Sequence, residues 1–189
     1  MNRLAAALLF CIFSAAFVAP ALAAKPKVGD VLPDVEAKTQ LAPKDAAALG
    51  LRAGQPPLRL SQIKAGTLLV EIYSLYCPRC HTDAPKVNRF YERLAAMPQA
   101  RGITFVAIGV GDTPYEVEFF RKKNGSPMPM IPDTDYVLHK ALMSVGAPSY
   151  FVLRPLPGGK GLKVLFFLEG GFDDENVFLD QVLRAAAQK

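Results

Sequence analysis

Long runs of charge, internal repeats and low-complexity tracts are all missing from this 189-residue chain, so it reads as one folded unit of ordinary composition. Histidine and cysteine are scarce, two and three respectively. One cysteine, Cys11, lies in an apolar leader. Two Cys and two His are then the whole ligand supply, and adjacent Cys80 and His81 share the geometry of a zinc site poorly, so no metal site is expected. The 22 Lys and Arg outnumber the 17 Asp and Glu, but they are neither clustered nor interleaved with aromatics. That spread argues against nucleic acid as a partner. Tryptophan is absent altogether.

What is present begins with a leader. Asn2-Arg3 give a short positive start, Leu4–Val18 is almost wholly apolar, and Ala21-Leu22-Ala23 places small residues where a signal peptidase needs them. Residues 1–23 therefore read as a cleavable secretory signal peptide. A retained membrane anchor fits less well, because the apolar run is short for a span and ends at Pro20. Phe10, before Cys11, is too large for a lipoprotein cleavage site. Removing the leader removes one charge, Arg3, and takes the formal net charge from +5 to +4. The expected location is periplasmic or otherwise exported.

Residues 24–60 read as an extended N-terminal segment with a hairpin near Val31–Thr39 and a loop or short helix around Asp45–Leu49. Residues 61–189 then alternate strand and helix. Thr67–Tyr73 is a short apolar run suited to a buried strand. After Cys77 the spacing turns helical, with Cys80, Ala84, Val87, Tyr91 and Leu94 drawing one apolar stripe and Pro85 expected to kink the helix. Ile103–Val110 is a second buried strand. A capped helix follows: Thr113 as cap, Pro114 in the first turn, Glu116 closing a capping box and Gly125 as the stop. Met128–Ile131 reads as a short strand and Tyr136–Met143 as a short helix. Ser149–Leu153 and Lys163–Leu168 form two more strands around the turn Pro155–Gly161, and Asp173 opens a last amphipathic helix to about Ala187. This pattern is an α/β fold with a mixed sheet.

The chemistry concentrates at Cys77 and Cys80. An exported chain sits where disulfides form, and a two-residue gap closes too small a loop to staple a fold, so the pair reads as chemical. Cys77 lies where strand gives way to helix, where unpaired N–H groups and the dipole favour a thiolate. Arg79 adds positive charge nearby, and Pro78 stiffens the gap. Cys80, one turn on and shielded, is placed to resolve a mixed disulfide. Glu71, within the apolar strand, reads either as an acid at an exposed edge or as a buried proton acceptor for Cys80. Asp83, about 60° around the helix from Cys80, reads either as an ordinary first-turn acid or as part of the site.

Cys77-Pro-Arg-Cys80-His81 also spells a c-type haem attachment site, with Met128, Met130 or His139 as candidate second ligands. On a helix, however, His81 lies about 100° from Cys80, toward the polar side with Asn88 and Glu92, which reads as a solvated position.

Leu69–Cys80, with Asp83 and Pro85, resembles the strand and active-site helix of thioredoxin-like proteins of the TlpA/ResA type. Val28–Asp34 is similar to the opening segment of that family, and Leu60-Ser61 to its approach to the first strand. Val145-Gly-Ala147-Pro148-Ser-Tyr-Phe-Val resembles the loop whose proline is cis and faces the cysteines. The resemblance covers about residues 28–187. It implies a thioredoxin-like three-layer sandwich, a central mixed β-sheet flanked by helices, with redoxin-type extra elements between Ile103–Val110 and Tyr136–Met143. It also implies a thiol–disulfide oxidoreductase without cofactor beyond the Cys77–Cys80 pair. Cys77, Cys80, Glu71 and Asp83 would carry the chemistry, while Tyr76, Pro78, Arg79, Ala147 and Pro148 would meet a polypeptide substrate. Electrons would come from a membrane thiol donor, with clients such as apocytochrome cysteines. Two departures bear on substrate preference: Tyr76 stands where the family usually has Trp, and Gln40–Pro57 is long. A thiol peroxidase of peroxiredoxin type is a rival, weakly suggested by Ser74, but Val70 stands near the place of its expected proline.

Overall fold

The structure is a computed structural model that describes residues 25–52, 54 and 58–188. The leader read at 1–23, with Cys11, lies outside these residues. In chain order the elements are β1 (Val31–Leu32), α1 (Pro43–Ala48), β2 (Thr67–Tyr73), α2 (Pro78–Ala96), β3 (Ile103–Val110), α3 (Pro114–Asn124), β4 (Met130–Asp133), α4 (Val137–Ala141), β5 (Ser149–Pro155), β6 (Leu162–Glu169) and α5 (Glu175–Ala187).

The strands form one sheet in the order β1-β6-β5-β2-β3-β4. β2 runs parallel to β3 and antiparallel to β5, so the sheet is mixed. All seven residues of β2 are buried, as a central strand covered on both faces requires. Its alternation divides the core. Leu69 and Tyr73 face a cluster built with Cys80, Val87, Phe90 and Leu94 of α2 and with Phe178, Leu179 and Val182 of α5. Leu68, Val70 and Ile72 face the opposite cluster, with Leu32, Leu49, Leu58 and Leu138. The result is a three-layer α/β sandwich. Phe172 stacks on Phe178 at 4.3 Å between ring centres, and Phe90 sits 4.9 Å from Phe178, packing α5 against α2 with aromatic area.

Several expectations shift. In place of a hairpin near Val31–Thr39, Val31 and Leu32 pair with Lys163 and Leu162, while Ala37 bridges Leu58. The start of this segment bonds strand β6 and Ala37 bonds Leu58, long-range pairings that local patterning does not encode. Phe90, fully buried, takes the central place on the α2 stripe expected for Tyr91, which is half-buried. The reason is the 3.6-residue turn, which carries the stripe through 83, 87, 90 and 94. β4 starts at Met130 rather than Met128. The capping box of α3 forms: the Glu116 N–H donates to Thr113 Oγ1 at 3.3 Å, and the Thr113 N–H donates to Glu116 Oε2 at 2.8 Å. Gly125, at φ 64°, ends the helix in the left-handed conformation that glycine adopts without strain.

Candidate functional site: a disulfide at a helix start

The end of β2 delivers the chain into a turn, Ser74–Cys77, closed by the Cys77 N–H donating to the Ser74 carbonyl at 3.1 Å. Cys77 is the N-cap of α2 and Pro78 its first residue, where a missing N–H costs nothing. The Cys80 N–H donates to Cys77 Sγ at 3.1 Å. The sulfur thus takes the place of the side-chain oxygen that usually caps a helix, at the positive end of a 19-residue dipole. Cys77 and Cys80 are disulfide-bonded, with Cα atoms 5.3 Å apart. Cys77 is half-buried and Cys80 is buried, so the two sulfurs differ in access.

Across from them lies the loop before β5. The Ala147–Pro148 peptide is cis, and the Ala147 carbonyl oxygen is 3.4 Å from Cys77 Sγ. Ala147 is exposed beside a buried Pro148. The loop is pinned from three sides: His139 Nε2 bonds the Val145 carbonyl at 2.8 Å, the Ser149 hydroxyl donates to the Gly146 carbonyl at 2.6 Å, and the Gly170 N–H donates to the Pro148 carbonyl at 2.8 Å.

Glu71 is buried on the β2 face that carries Leu69 and Tyr73, the face on which α2 and Cys80 pack. Burial pushes its carboxyl up to about 7; the Tyr150 hydroxyl, donating to Oε1 at 3.1 Å, opposes that rise, and the nearby Asp83 charge adds to it. Of the two readings of Glu71, the exposed strand edge is excluded. Asp83 is also buried, and both its oxygens are paired: Oδ2 with Arg79 Nε at 2.6 Å, Oδ1 with Lys86 Nζ at 3.4 Å. Arg79 therefore spends its charge on Asp83, and on Asp173 at 3.6 Å, rather than lying free beside Cys77. Tyr76 is 74% exposed, with its hydroxyl on Glu116 Oε1. The Tyr76 and Thr113 contacts hold Glu116 below the usual carboxylate range.

His81 is not the solvated residue expected from its helix angle. Its ring lies 4.8 Å from that of Phe120; Nε2 is 2.8 Å from the Leu75 carbonyl, and Nδ1 faces the Asn124 amide, with Nδ2 at 3.1 Å. The helical wheel points it toward solvent only if nothing stands there, and α3 does. Both ring nitrogens are committed to the protein, so His81 does not fit the role of iron ligand for a haem attached at the Cys-x-x-Cys-His sequence.

Residues 28–157 match the AhpC/TSA family, more than half of the chain. The chain belongs to that family. Within the AhpC/TSA frame, a similar curated protein is the thiol-disulfide oxidoreductase ResA of Bacillus subtilis, 26% identical over 108 residues. That stretch is 57% of this chain and spans 57% of the length of ResA. The fold is similar to that of a thiol:disulfide interchange protein, thioredoxin family protein, from Chlorobium tepidum, with a TM-score of 0.56 at 20% identity over 86% of this chain and 99% of the other. It is also similar to that of StoA from Bacillus subtilis, with a TM-score of 0.56 at 15% identity over 80% and 98% of the two chains. The fold is thioredoxin-like.

The structure gathers Cys77, Cys80, Ala147 and Pro148 at one end of the sheet, with Tyr76, Pro78 and Arg79 on the exposed rim and Glu71 and Asp83 beneath. Sequence reasoning missed three members. Tyr150 stands directly opposite Glu71 in the antiparallel pairing of β2 with β5. Its position two residues after Pro148 was the only sequence signal, since alternation places the pair on one face. Asp112, fully buried, accepts the Leu75 N–H at 2.9 Å and the Ser74 hydroxyl at 3.4 Å. Burial pushes Asp112 up to about 6 against the Leu75 hydrogen bond. Asn124 orients His81. Val70, in turn, is buried on the face away from the cysteines, in the core cluster with Leu58.

Proposed function

We propose that this protein is an exported thiol–disulfide oxidoreductase that exchanges disulfides with protein substrates and acts as a reductant. One observation carries the reading: a half-buried sulfur caps α2, is bonded to a buried partner one turn inward, and faces the carbonyl before a cis proline at 3.4 Å. An exposed carbonyl and amide beside the nucleophile suit an extended polypeptide, which can pair with Ala147 while Pro148 shapes the groove.

In the reduced protein, the Cys77 thiolate attacks one sulfur of a substrate disulfide. A Cys77–substrate disulfide forms and the other substrate sulfur leaves as a thiolate. Cys80 then gives its proton to Glu71, whose carboxyl titrates near neutral pH, and attacks Cys77 Sγ. The second substrate thiolate departs and the Cys77–Cys80 disulfide remains, two electrons having passed to the substrate. Asp83 acts on Glu71 by charge alone, adding to the rise that burial imposes on it. Tyr76, Pro78 and Arg79 form the rim a client meets. No cofactor beyond the cysteine pair is needed. A membrane thiol donor restores the dithiol, and reduced clients include apocytochrome cysteines. The leader at 1–23 supplies export.

The test is turnover of an insulin-type disulfide substrate by the mature protein and by Cys80→Ala. The wild type is expected to reduce it catalytically, and the variant to stall at the mixed disulfide. Undiminished turnover in the variant overturns the dithiol mechanism.

A further inference from the structure

The Ser74–Cys77 turn is gripped at one residue, Leu75, from both sides. The Leu75 N–H donates to Asp112 at 2.9 Å, and the Leu75 carbonyl is met by His81 Nε2 at 2.8 Å. Asp112 follows the end of β3, whereas His81 belongs to α2 itself, directly after Cys80. A carbonyl oxygen only accepts, so Nε2 carries the proton. Nδ1 is then the acceptor in the neutral ring, and Asn124 Nδ2 at 3.1 Å supplies the donor. Asn124 Nδ2 is itself oriented by the Phe120 carbonyl at 2.9 Å, and the Phe120 ring packs against the imidazole at 4.8 Å, tilted by 34°. The Leu75 carbonyl selects the Nε2–H form, while the Asn124 amide, whose Oδ1 also lies 3.3 Å from Nδ1, and the Phe120 ring hold the orientation.

We propose that His81 is a positioning residue for the Cys77 nucleophile: by holding the Leu75 carbonyl against α2, it fixes the turn that seats the Cys77 sulfur at the helix start. Beyond Leu75 the turn is tied through its side chains, the Ser74 hydroxyl to Asp112 at 3.4 Å and the Tyr76 hydroxyl to Glu116. Its Cys77 N–H bonds Ser74, its Tyr76 N–H bonds the Ser74 hydroxyl at 3.3 Å, and Tyr76 itself is exposed. If the Leu75 carbonyl is released, the turn loses a side-chain tie to the helix that the sulfur caps through the Cys80 N–H, and keeps only the backbone bonds that the Cys77 carbonyl accepts among the described residues. The thiolate then loses alignment with that donor. The inference rests on the thiol–disulfide reading for its purpose, but its test does not.

The test is the pH profile of Cys77 alkylation by iodoacetamide in the reduced full-length protein, which needs no protein substrate. The other charges bearing on this region are Asp112 and Glu116 beside the turn and Arg79, paired with Asp83, on the first turn of α2. His81→Phe keeps an aromatic ring against Phe120 while removing both nitrogens. It is expected to slow alkylation below the Cys77 midpoint by about fivefold, the weight of one net hydrogen bond. His81→Gln, whose amide reaches the place of Nε2 but carries no charge, is expected to restore most of the rate. Asn124→Ala, which frees the ring without touching Leu75, is expected to give a smaller loss of the same sign, and it serves if the Phe variant does not fold. Wild-type behaviour in His81→Phe, or in Asn124→Ala where that variant stands in, overturns the proposal. So does a His81→Gln rate as low as that of His81→Phe, which would assign His81 a charge effect instead. Failure of the thiol–disulfide reading would appear elsewhere, as a wild-type protein whose Cys77 alkylates normally yet reduces no disulfide.

Discussion

Tyr150 and Glu71 stand directly across from one another on β5 and β2, and the phenol hydroxyl donates to the buried carboxyl at 3.1 Å. The bond favours the charged carboxylate, so it restrains the rise that burial imposes on Glu71. The Tyr150 hydroxyl has no such choice: burial, then the Glu71 charge, raises its own titration well above the ordinary phenol value, so it remains a donor throughout. Tyr150 is in this way the local control on a group at about 7.

Tyr150→Phe is therefore expected to move Glu71 higher, by about one pH unit, since one unit corresponds to about 1.4 kcal/mol. Carbon-13 NMR titration of the Glu71 carboxyl in the oxidised protein checks this. A shift downward would mean that the hydroxyl does not stabilise the charged form.

Glu71 also sets a pH dependence of stability. Its folded value, about 7, exceeds the ordinary 4.5, so the folded state holds a proton that the unfolded state has released between those values. The contribution is fully favourable below about 4.5 and is lost as pH rises through 7, a total of about 3 kcal/mol. Glu71→Gln is expected to raise stability by about that amount at pH 8 and to change it little at pH 4. Asp112, raised from 3.8 to about 6, acts in the same direction, so the variant keeps a falling slope below pH 6. Urea unfolding of the oxidised variant at three pH values measures both.

The N-terminal segment is tied to the far side of the fold by a buried ion pair. Arg121 Nη2 donates to both oxygens of Asp45, at 2.8 and 2.7 Å, and Nη1 reaches the Met128 carbonyl at 2.8 Å. Burial outweighs Arg121 and leaves Asp45 raised from its usual range. Asp45→Ala strands the guanidinium and is expected to cost about 3–5 kcal/mol in chemical denaturation. An Asp45→Leu, Arg121→Met double variant recovers most of that loss, because two charges no longer need desolvation. Disulfide exchange by the folded protein is expected to be unchanged.

Much of this fold is legible in the sequence because its signals are local. Thr67–Tyr73 is apolar without interruption, as a strand buried on both faces must be. Thr113, Pro114, Glu116 and Gly125 bracket α3 with caps that act within one turn. The cysteine pair announces its chemistry through spacing and through its place at a strand-to-helix junction. What local pattern does not carry is partnership across the chain. Val31–Leu32 has the alternation of a strand but no sign that Leu162–Lys163 is its neighbour. His81 sits on the polar side of α2 by its angle, and only the docking of α3, through Phe120 and Asn124, converts that side into an interior. Arg79 reads as a free cation beside Cys77 until Asp83 and Asp173 are seen to engage it.

In the proposed mechanism Cys77 is the attacking sulfur and Cys80 the resolving one. Mass spectrometry of reduced Cys80→Ser after exposure to a disulfide-bonded protein tests it most directly, with Cys77→Ser alongside. One stable mixed disulfide, mapped to Cys77, is expected in the first variant, and little or none in the second, where the buried Cys80 is left alone. An adduct that forms equally well on Cys80, or none on Cys77, would contradict it.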